Sequence, residues 1–413
     1  MTHFVIPEGV RRILTEGFAR ALKAVDLESR VHDALPVRPL RRTRVSIIAI
    51  GKAAPAMAAG AIKRWPDFID RALVVAPDGT PCSIREGEVE VLRASHPLPD
   101  ARSVEAGTRA LAVAKQARGL LLVLISGGAS SLVCAPIEGV TLENKREIVR
   151  ALLVSGASIA QINSVRRHLS RIKGGGLGRA AAPTHVFTLL ASDVIGAEYY
   201  DVGSGPTVPD PTTVEDARSA LLMHARKFRG VPLKETLKPG EPEASLQRAR
   251  LVASPADLAR AMSLELGAEG FSPQVIPASH SSVEQLADEY RALAATLAPG
   301  TAILRAAEPI VHVSTPTPGR GGRSGHLAAM LAHALPEGVV FMAVASDGID
   351  GDSGSSGAIV DAGSWANIDK ARAERAISSY DTAPLHAEAK TALLAGPTGV
   401  NLADLHVLLR RAD

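Results

Sequence analysis

A glycine-rich turn with two arginines lies within the stretch from Arg305 to Asp352. This turn, Gly319–Arg323 (G-R-G-G-R), follows a strand predicted at Ile310–Thr315 and leads into a helix predicted at Ser324–Leu335. Arginine binds phosphate and carboxylate groups through paired hydrogen bonds, and the N–H groups of a glycine turn at the start of a helix attract anions. The turn therefore predicts binding of an anionic substrate or a phosphate group.

A second turn in the same stretch carries the opposite charge. It is Ser346–Asp352 (S-D-G-I-D-G-D), which holds three aspartates and follows a strand predicted at Val339–Ala345. Aspartate oxygens suit Mg²⁺, which prefers oxygen ligands and phosphate partners. Either turn alone could be an ordinary surface turn. Their succession across one strand–helix–strand unit favours a site for an anionic substrate, a phosphate group and a divalent metal ion.

Polar residues also follow several other predicted strands. Lys52, Ser126, Asp193 and Asp347 each come directly after, or one residue beyond, an apolar run of strand length. In open α/β sheets ligands bind outside the carboxyl ends of the strands, so we expect these residues to share one cleft between two domains. Lys52 could instead extend its head to solvent, but its place between an apolar strand and an apolar helix favours an ammonium that neutralises phosphate charge.

Two further segments contain groups that can bind anions. The loop Ser126–Ser131 (S-G-G-A-S-S) offers N–H and hydroxyl groups, although it could also be only a tight turn. Asn163 and Arg166 lie three residues apart on a predicted helix, so they share one face. Arg167 is expected on a solvated face of that helix, and His168 is expected to be structural.

Composition narrows the class of protein. The 413 residues allow one to three domains, of which two are expected, and 46% apolar with only 3% aromatic residues suits a parallel α/β core. The net charge is +3 and the basic residues are scattered, so nucleic acid is not an expected partner. Cys82 and Cys134 form neither a disulfide framework nor a metal-ligand pattern. The apolar runs are too short for a bilayer and the N-terminus reads as an amphipathic helix, so we expect a soluble, cytoplasmic protein.

The order of elements predicts the organisation of the chain. Predicted strands alternate with predicted helices, which indicates a mostly parallel sheet in each half. The stretch Arg229–Leu246 is rich in Lys, Pro and Glu and is predicted as a linker region. The expected domains are a Rossmann-like αβα sandwich at 1–235 and a smaller C-terminal α/β domain at 251–413, joined by a linker at 236–250. Ala358–Val360 is predicted as an edge strand.

Several generic catalytic signatures are absent. No G-x-x-x-x-G-K-[ST] occurs, which excludes a Walker-type P-loop enzyme. The run Gly174–Gly178 lacks the final glycine of G-x-G-x-x-G and follows a helix, so it does not form a dinucleotide fingerprint. The chain also has no G-x-S-x-G elbow and no H-E-x-x-H motif.

Seven blocks of the sequence occur in an order that is known from one protein family. They are G-K-A-A at Gly51–Ala54, S-G-G-A-S-S at Ser126–Ser131, I-N-S-V-R-R-H-L-S-R-I-K-G-G at Ile162–Gly175, S-D-V-I-G at Ser192–Gly196, G-S-G-P-T-V-P-D-P-T-T at Gly203–Thr213, G-R-G-G-R at Gly319–Arg323 and S-D-G-I-D-G at Ser346–Gly351. The sequence resembles the glycerate 2-kinases, whose C-terminal module is called the MOFRL domain, over nearly its whole length. The resemblance implies a two-domain α/β enzyme, with its active site between the domains, that uses ATP and Mg²⁺ to convert D-glycerate to 2-phosphoglycerate.

The resemblance also implies roles for particular residues. Lys52 and Arg323 would be catalytic and would bind the glycerate carboxylate or the transferred phosphoryl group, and Asp193 and Asp347 would hold the metal ion. Substrate or phosphate binding is expected of Ser126, Gly127, Gly128, Ser130, Asn163, Arg166, Lys173, Ser204, Gly205, Thr207, Glu308 and Arg320.

This sequence departs from the family pattern at a few positions near these blocks. Ser324 and His326 stand where family members commonly have an asparagine and an acidic residue, and Ala197 replaces a usual acid.

Two other functions stay open: an NAD(P)H-dependent hydroxypyruvate reductase, which is a label that family members have carried, and a non-catalytic sensor of small acidic metabolites. The missing dinucleotide fingerprint argues against the first. The aspartates argue against the second, because carboxylates near an anionic ligand weaken its binding. Small molecules are the expected partners, a homodimer is compatible with the sequence, and related acids such as tartrate stay open as substrates.

Overall fold

The computed structural model of the protein describes residues 6–39, 43–85, 87, 89–196, 198–394 and 396–412. Ala197, which stands where the family usually has an acidic residue, lies outside the described residues. The chain divides into two compact units. We call Leu27–Ser192 with Ala197–Ala253 the N-terminal-sheet unit, and Met1–Asp26, Asp193–Gly196 and Ser254–Asp413 the C-terminal-sheet unit. The domain limits that were expected from the sequence remain a prediction. Among the described helices, none has the length and apolar character needed to cross a membrane.

The strands and helices have the following bounds. The strands are β1 Val45–Ile50, β2 Ile69–Pro77, β3 Glu90–Ala94, β4 Leu120–Ile125, β5 His185–Ala191, β6 Gln247–Ala253, β7 Ser272–Val275, β8 Thr301–Ala307, β9 Val339–Ala345, β10 Gly357–Asp361, β11 Ala392–Leu393 and β12 Asp404–Arg410. The helices are α1 Glu8–Ala24, α2 Leu27–Ala34, α3 Ala54–Arg64, α4 Ala101–Gln116, α5 Ala129–Leu132, α6 Leu142–Val154, α7 Ile159–His168, α8 Gly176–Ala181, α9 Val214–His224, α10 Pro255–Ala268, α11 Val283–Thr296, α12 Arg323–Leu331, α13 Lys370–Ser378 and α14 Ala383–Glu388.

The N-terminal-sheet unit is built on a parallel sheet. Its described strands run in the order β3-β2-β1-β4-β5-β6, and every neighbouring pair is parallel. The apolar runs of β1 and β4 are buried along almost their whole length because helices cover both faces of such a sheet. Ile50 lies opposite Ile125, so both strands end at the same level and the loops that follow them begin side by side.

Local sequence signals fix the starts of the helices around this sheet. The side chains of Asp100, Thr141, Ser158 and Thr213 each accept a hydrogen bond from the backbone N–H three residues later, which satisfies a donor that the helix itself leaves open. These capping contacts fix where α4, α6, α7 and α9 begin.

The sheet of the C-terminal-sheet unit is mixed rather than mostly parallel. In the described residues its order is β11-β10-β9-β12-β8-β7, and only β7 and β8 pair in parallel. The prediction of a mostly parallel sheet in both halves is thus confirmed for the first sheet and wrong for the second. The reason is β12, which inserts between β8 and β9 and runs antiparallel to both. The predicted edge strand Ala358–Val360 is β10, and it lies between β9 and β11 instead of at an edge.

The approach to the arginine-rich turn also differs from the prediction. The residues Ile310–Thr315 do not form a strand, and Ile310 makes only an isolated bridge with Ser282. Prolines at 309, 316 and 318 flank this segment and lack backbone N–H donors, so a hydrogen-bonded ladder is interrupted on both sides of it. Helix α12 starts one residue before its predicted start and ends four residues early.

The stretch that was predicted as a linker packs on the N-terminal-sheet unit. The Thr236 hydroxyl donates to Asp210 at 3.1 Å, and the backbone N–H of buried Leu237 donates to the carbonyl oxygen of Gly174 at 2.9 Å. These contacts tie 229–246 to the loop that follows α7, and this loop carries predicted site residues.

Close packing of α2 and α3 generates a stability prediction. A Cβ at Gly60 of α3 would lie 2.2 Å from the carbonyl oxygen of Glu28, whereas a Cβ at Gly9 of α1 would meet nothing within 4 Å. Gly60→Ala should therefore lower the free energy of unfolding by about 1–3 kcal/mol, as overpacking usually does. Gly9→Ala should leave it unchanged or raise it slightly. Calorimetry of both variants checks this, and an equal effect at the two positions would contradict it.

Candidate functional site

Five of the predicted binding residues form a cluster around the hydroxyl group of Ser130, and three of them contact that hydroxyl directly. The guanidinium Nη2 of Arg166 donates to Ser130 Oγ at 2.6 Å, and the Lys173 ammonium donates to the same oxygen at 2.7 Å. The hydroxyl of Ser204 lies 3.2 Å from it, and Arg166 Nη1 donates to Asn163 Oδ1 at 3.5 Å. We call these five residues the Ser130 cluster. The structure thus brings together side chains from three separate blocks of the sequence.

Backbone contacts place Lys173 in this cluster. The N–H of Gly174 donates to the carbonyl of Ser204 at 3.0 Å, and the N–H of Gly175 donates to that of Gly205 at 2.7 Å. The loop after α7 is therefore joined along its length to the loop that carries Ser204. This pairing explains why both loops are rich in glycine, since bulkier side chains would separate the two backbones.

Ser204 has an unusual backbone conformation. Its φ is +63°, and both flanking glycines, Gly203 and Gly205, also have positive φ values of 60° and 59°. A residue with a side chain is strained in this left-handed region, and such strain concentrates at functional sites. The conformation presents the Ser204 hydroxyl to Ser130.

The cluster has an excess of positive charge. Lys173 is buried, and its ammonium donates to Ser130 Oγ and, at 2.9 Å, to the Ser130 carbonyl. Neither Lys173 nor Arg166 pairs with a carboxylate of the described residues. Burial, together with neighbouring cations, holds the pKa of Lys173 well below its usual range, and burial also lowers the pKa of Arg166. Cations that share hydroxyl acceptors and lack counter-ions form a surface for an anion.

The neighbouring residues Arg167 and His168 have structural contacts. Arg167 was predicted on a solvated face, but it is 2% exposed and its Nε lies 3.0 Å from the buried carboxylate of Asp210. The pattern of charges along α7 could not reveal this pairing with a distant segment. The His168 ring interacts with the Ser164 carbonyl at 2.8 Å and with Glu235 at 3.1 Å, so its predicted structural role is confirmed.

Lys52 lies beside the loop that follows β4. Its backbone N–H donates to the carbonyl of Gly127 at 2.9 Å, and the Ser126 hydroxyl accepts from the N–H of Ala53 at 3.1 Å. His96 lies beside Gly128 in the same loop, and burial and the charge of Lys52 lower the pKa of its ring. The predicted residues Lys52 and Ser126–Gly128 therefore meet where β1 and β4 end.

Two predicted binding residues of this unit are engaged within the protein. The Thr207 hydroxyl is buried and lies 2.7 Å from the hydroxyl of Thr188. Gly205 supports the loop pairing described above. Both hold the Ser204 loop in place.

The C-terminal-sheet unit contains a cavity of about 540 Å³. Its lining combines apolar side chains with carboxylates. The lining includes Val311, Pro318, Arg323, His326, Asp347, Asp350, Asp352, Tyr380, Asn401 and Asp404. The rings of His326 and Tyr380 stack with their centres 5.2 Å apart.

Carboxylates hold Arg323 in this cavity. Its Nε and Nη2 donate to the two oxygens of Asp404 at 2.7 and 3.1 Å, and its Nη1 donates to Glu308 at 3.2 Å. The Arg323 side chain is one-third exposed, while Asp404 is buried. Burial raises the pKa of Asp404 to about 6 even though Arg323 opposes this shift. The predicted residues Arg323 and Glu308 thus lie together, and Asp404 fixes the orientation of the guanidinium.

The amide groups of the G-R-G-G-R turn are already paired. Buried Asp350 accepts from the N–H groups of Ser324 and Gly325 at 3.0 and 2.8 Å, and Asp352 accepts from Gly321 at 2.8 Å. The start of α12 was interpreted as a site whose N–H groups attract a substrate anion. That interpretation is wrong for these amides, because carboxylates of the protein occupy them. The predicted residue Arg320 is exposed, and its backbone N–H donates to Asp381.

One predicted metal ligand contacts an asparagine of the cavity lining, and the other lines the cavity itself. Asn401 donates to Asp193 Oδ2 at 2.8 Å, and both Asn401 and Asp347 line the cavity. No group of three or more potential metal-binding side chains occurs in the described part of the chain. Mg²⁺ usually takes only one or two protein carboxylates besides substrate phosphates and water, so a pair of aspartates fits its chemistry.

Several residues of these sites were not predicted. Asp404, Asn401 and Tyr380 come from segments after the last recognised motif, and His96 comes from the turn after β3. His96 carried a signal, because it follows a strand at the same sheet edge as Lys52. Asp404 carried none, since a single acid before an apolar run is common.

Known protein families and relatives match this chain along most of its length. Residues 13–230 match the family described as a domain of unknown function, DUF4147, and residues 301–404 match the MOFRL family. A D-glycerate 2-kinase of Thermotoga maritima is 32% identical to this chain, with 97% of this chain and 98% of that protein covered. The chain belongs to the glycerate 2-kinase family.

Two further comparisons extend this result. The crystal structure of a glycerate kinase from Thermotoga maritima has a TM-score of 0.86 at 30% identity and covers 98% of this chain and 100% of that one. A protein of Agrobacterium vitis that is provisionally named a hydroxypyruvate reductase is 34% identical, with 97% of this chain and 94% of that protein covered. The glycerate 2-kinase family therefore includes relatives with two different names.

The buried carboxylate of Asp404 leads to a prediction about how the stability of the protein depends on pH. Because burial raises the pKa of Asp404 to about 6, the folded state holds its proton more tightly than the unfolded state. Its contribution to stability is fully present below the usual carboxyl pKa and is lost as the pH rises through about 6. Relative to the wild type, the unfolding temperature of Asp404→Asn should therefore be higher at pH 7.5 than at pH 5, because only the wild type loses this contribution as the pH rises.

Thermal unfolding across this pH range measures the effect. Exposed Asp288 is the matched control, because its Asn variant should show no such change with pH. A difference in unfolding temperature between Asp404→Asn and the wild type that stays constant from pH 7.5 to pH 5 would contradict the assignment.

Proposed function

We propose that this protein is a glycerate 2-kinase that transfers the γ-phosphoryl group of ATP to the 2-hydroxyl group of D-glycerate. The observation that carries the proposal is the end-to-end match with a D-glycerate 2-kinase. The Ser130 cluster supports it, because unpaired cations at the end of a parallel sheet suit a phosphate or carboxylate ligand.

The proposed reaction makes one bond and breaks one. The 2-oxygen of glycerate bonds to the γ-phosphorus, the bond from that phosphorus to the β–γ bridging oxygen breaks, and the hydroxyl proton is released. ADP and 2-phosphoglycerate are the products. In such transfers the protein mainly positions the substrates and neutralises charge, so cationic side chains should account for much of the rate.

The proposal gives the cations different tasks. Lys52, which lies beside the loop after β4, would neutralise charge on the transferred group. Arg166 and Lys173 would hold an oxyanion of one substrate at Ser130. Arg323, whose orientation Asp404 fixes, would bind a carboxylate or phosphoryl oxygen with the part of its guanidinium that faces the cavity.

We assign Mg²⁺ binding to Asp193 and Asp347. The cavity wall that includes Asp347 and Asn401 is rich in oxygen atoms and acidic, which suits a hard divalent cation. When bound, the ion neutralises phosphate charge. The two carboxylates would keep it beside the cavity.

A hydroxypyruvate reductase is the competing function, because one relative has that provisional name. The strand order of the N-terminal-sheet unit is that of a dinucleotide-binding fold. The turn after β1, however, is Gly51-Lys52-Ala53-Ala54, which lacks the glycines that let a pyrophosphate approach the backbone. The sequence of that turn favours the kinase.

One pair of assays separates these functions. Purified protein is given D-glycerate, ATP and Mg²⁺ with coupled detection of ADP, and in parallel hydroxypyruvate with NADH or NADPH. ADP formation that depends on glycerate supports the kinase, and the position of the phosphate is read by NMR of the product. Oxidation of the nicotinamide without ADP formation would replace the proposal with the reductase. Binding of glycerate without either turnover would indicate a sensor.

The two proposed catalytic residues predict a kinetic result. Lys52→Ala and Arg323→Ala should each lower kcat by about two to three powers of ten, because each removes charge stabilisation that matters most in the transition state. Arg323→Lys should recover only part of the loss, since an ammonium cannot form two bonds to Asp404 as the guanidinium does. If Arg323 only binds the ground state, KM will rise while kcat is nearly kept. Near-normal kcat/KM in both alanine variants would remove these residues from the mechanism.

The metal assignment makes a separate prediction. Exhaustive chelation should abolish turnover, and Asp347→Asn should raise the Mg²⁺ concentration needed for half-maximal activity by about tenfold or more, because an amide binds Mg²⁺ more weakly than a carboxylate. Asp288→Asn, at an exposed position of α11, is the control. Full turnover after chelation would overturn the assignment.

A further inference from the structure

Lys145 is a buried lysine that none of the interactions described above uses. It lies in the first turn of α6, and only 5% of its surface is exposed. Its ammonium nitrogen makes no hydrogen bond in the structure. A buried ammonium without a partner is costly, so its surroundings indicate what it is for.

Two groups act on the buried Lys145 ammonium, the thiol of Cys134 and the guanidinium of Arg166 from the Ser130 cluster. Burial lowers the pKa of Lys145, Cys134 opposes this shift, and Arg166 adds to it. Lys145 and Arg166 in turn add to the effect of burial in lowering the pKa of Lys173. Lys145 thus belongs to a group of three cations, and no carboxylate of the described chain pairs with any of them.

The Ser130 hydroxyl is uncharged, so it cannot neutralise the positive charges of Lys145, Arg166 and Lys173. It accepts from Arg166 and Lys173, and its only other described contact is the Ser204 hydroxyl. Burial is the main cause of the low pKa of Lys145. A ligand with negatively charged oxygens would offset the desolvation of all three cations at once.

We propose that Lys145 completes an anion-binding pocket with Ser130, Arg166 and Lys173 and contacts a bound oxyanion, either a carboxylate or a phosphate group. The inference rests on the proposed function only for the identity of the oxyanion. Glycerate offers a carboxylate, and ATP and the product offer phosphate groups. The pocket itself follows from the buried cations.

Binding of an anion in this pocket should change the protonation of its lysines. A lysine whose pKa is lowered in the absence of ligand gains its proton more readily when an anion arrives. Ligand binding near neutral to mildly alkaline pH should therefore take up protons. Arg166 stays charged throughout, so Lys145 and Lys173 are the groups that account for the uptake.

The test is isothermal titration of the full chain with two probes, D-glycerate and inorganic phosphate. Each titration is run in two buffers of different ionisation enthalpy, which yields the number of protons taken up. Lys145→Met should weaken binding of at least one probe by about tenfold or more and reduce proton uptake. The probe that is more affected identifies the group that Lys145 contacts. Exposed Lys115 of α4 is the matched control, and its Met variant should behave as the wild type.

Thermal unfolding without ligand distinguishes binding from a structural role. Removal of an unpaired buried charge should leave the unfolding temperature of Lys145→Met unchanged or raise it, whereas loss of a structural contact would lower it. Lys145→Gln is made alongside and should show the same loss of binding. Wild-type affinity and proton uptake in either variant would overturn the proposal, as would wild-type protein that binds neither probe.

The outcomes also separate this inference from the proposed function. Phosphate binding that depends on Lys145 in a protein without kinase turnover would keep the pocket and reject the kinase. Kinase turnover with unchanged KM values and unchanged titrations in Lys145→Met would keep the kinase and reject the role of Lys145.

Discussion

The arrangement of the loops in the N-terminal-sheet unit depends on one contact: Arg166 and Lys173 both donate a hydrogen bond to the hydroxyl oxygen of Ser130. This contact joins the loop after β4 to the end of α7 and to the loop that follows it. The paired backbones of Gly174 and Ser204 then fix the third side of the arrangement. Charge repulsion would separate these elements if nothing else held them, so the backbone pairing and the buried Arg167–Asp210 ion pair are what keep the cations close.

The two units balance charge in opposite ways. In the C-terminal-sheet unit, Arg323 and the amides at the start of α12 are matched by carboxylates, and the cavity has more acidic than basic groups. In the N-terminal-sheet unit, Arg166 and Lys173 of the Ser130 cluster pair with no carboxylate of the described residues. An acidic cavity suits a cation or a cation-bound phosphate, and a cationic pocket suits a bare oxyanion. A phosphoryl-transfer enzyme needs both environments, because its nucleotide carries a metal ion and its acceptor is an anion.

The sequence predicted the features whose signals are local. Strand runs such as β4 and β9, the capped helices and the residues of the Ser130 cluster lie in recognisable patterns. It could not give the direction of β12, since an apolar run pairs equally well in parallel or antiparallel, and this uncertainty made the prediction for the second sheet wrong. Arg167 was placed on the surface because its partner, Asp210, is distant in sequence. Asp350 is one of three aspartates that were expected to suit Mg²⁺, but its carboxylate accepts from the first backbone amides of α12.

The position of β12 bears on how the protein is made. This strand lies between β8 and β9 and donates to and accepts from both, yet it follows them in the chain. While a ribosome synthesises the residues between β9 and β12, the facing edges of β8 and β9 have no bridging strand, and exposed edges pair readily with other chains. Helix α1, at the start of the chain, packs on α10 and must also wait for it. The N-terminal-sheet unit can acquire its parallel sheet once β6 has emerged, so the two units should fold at different times on the ribosome, and the later one should be the more dependent on chaperones.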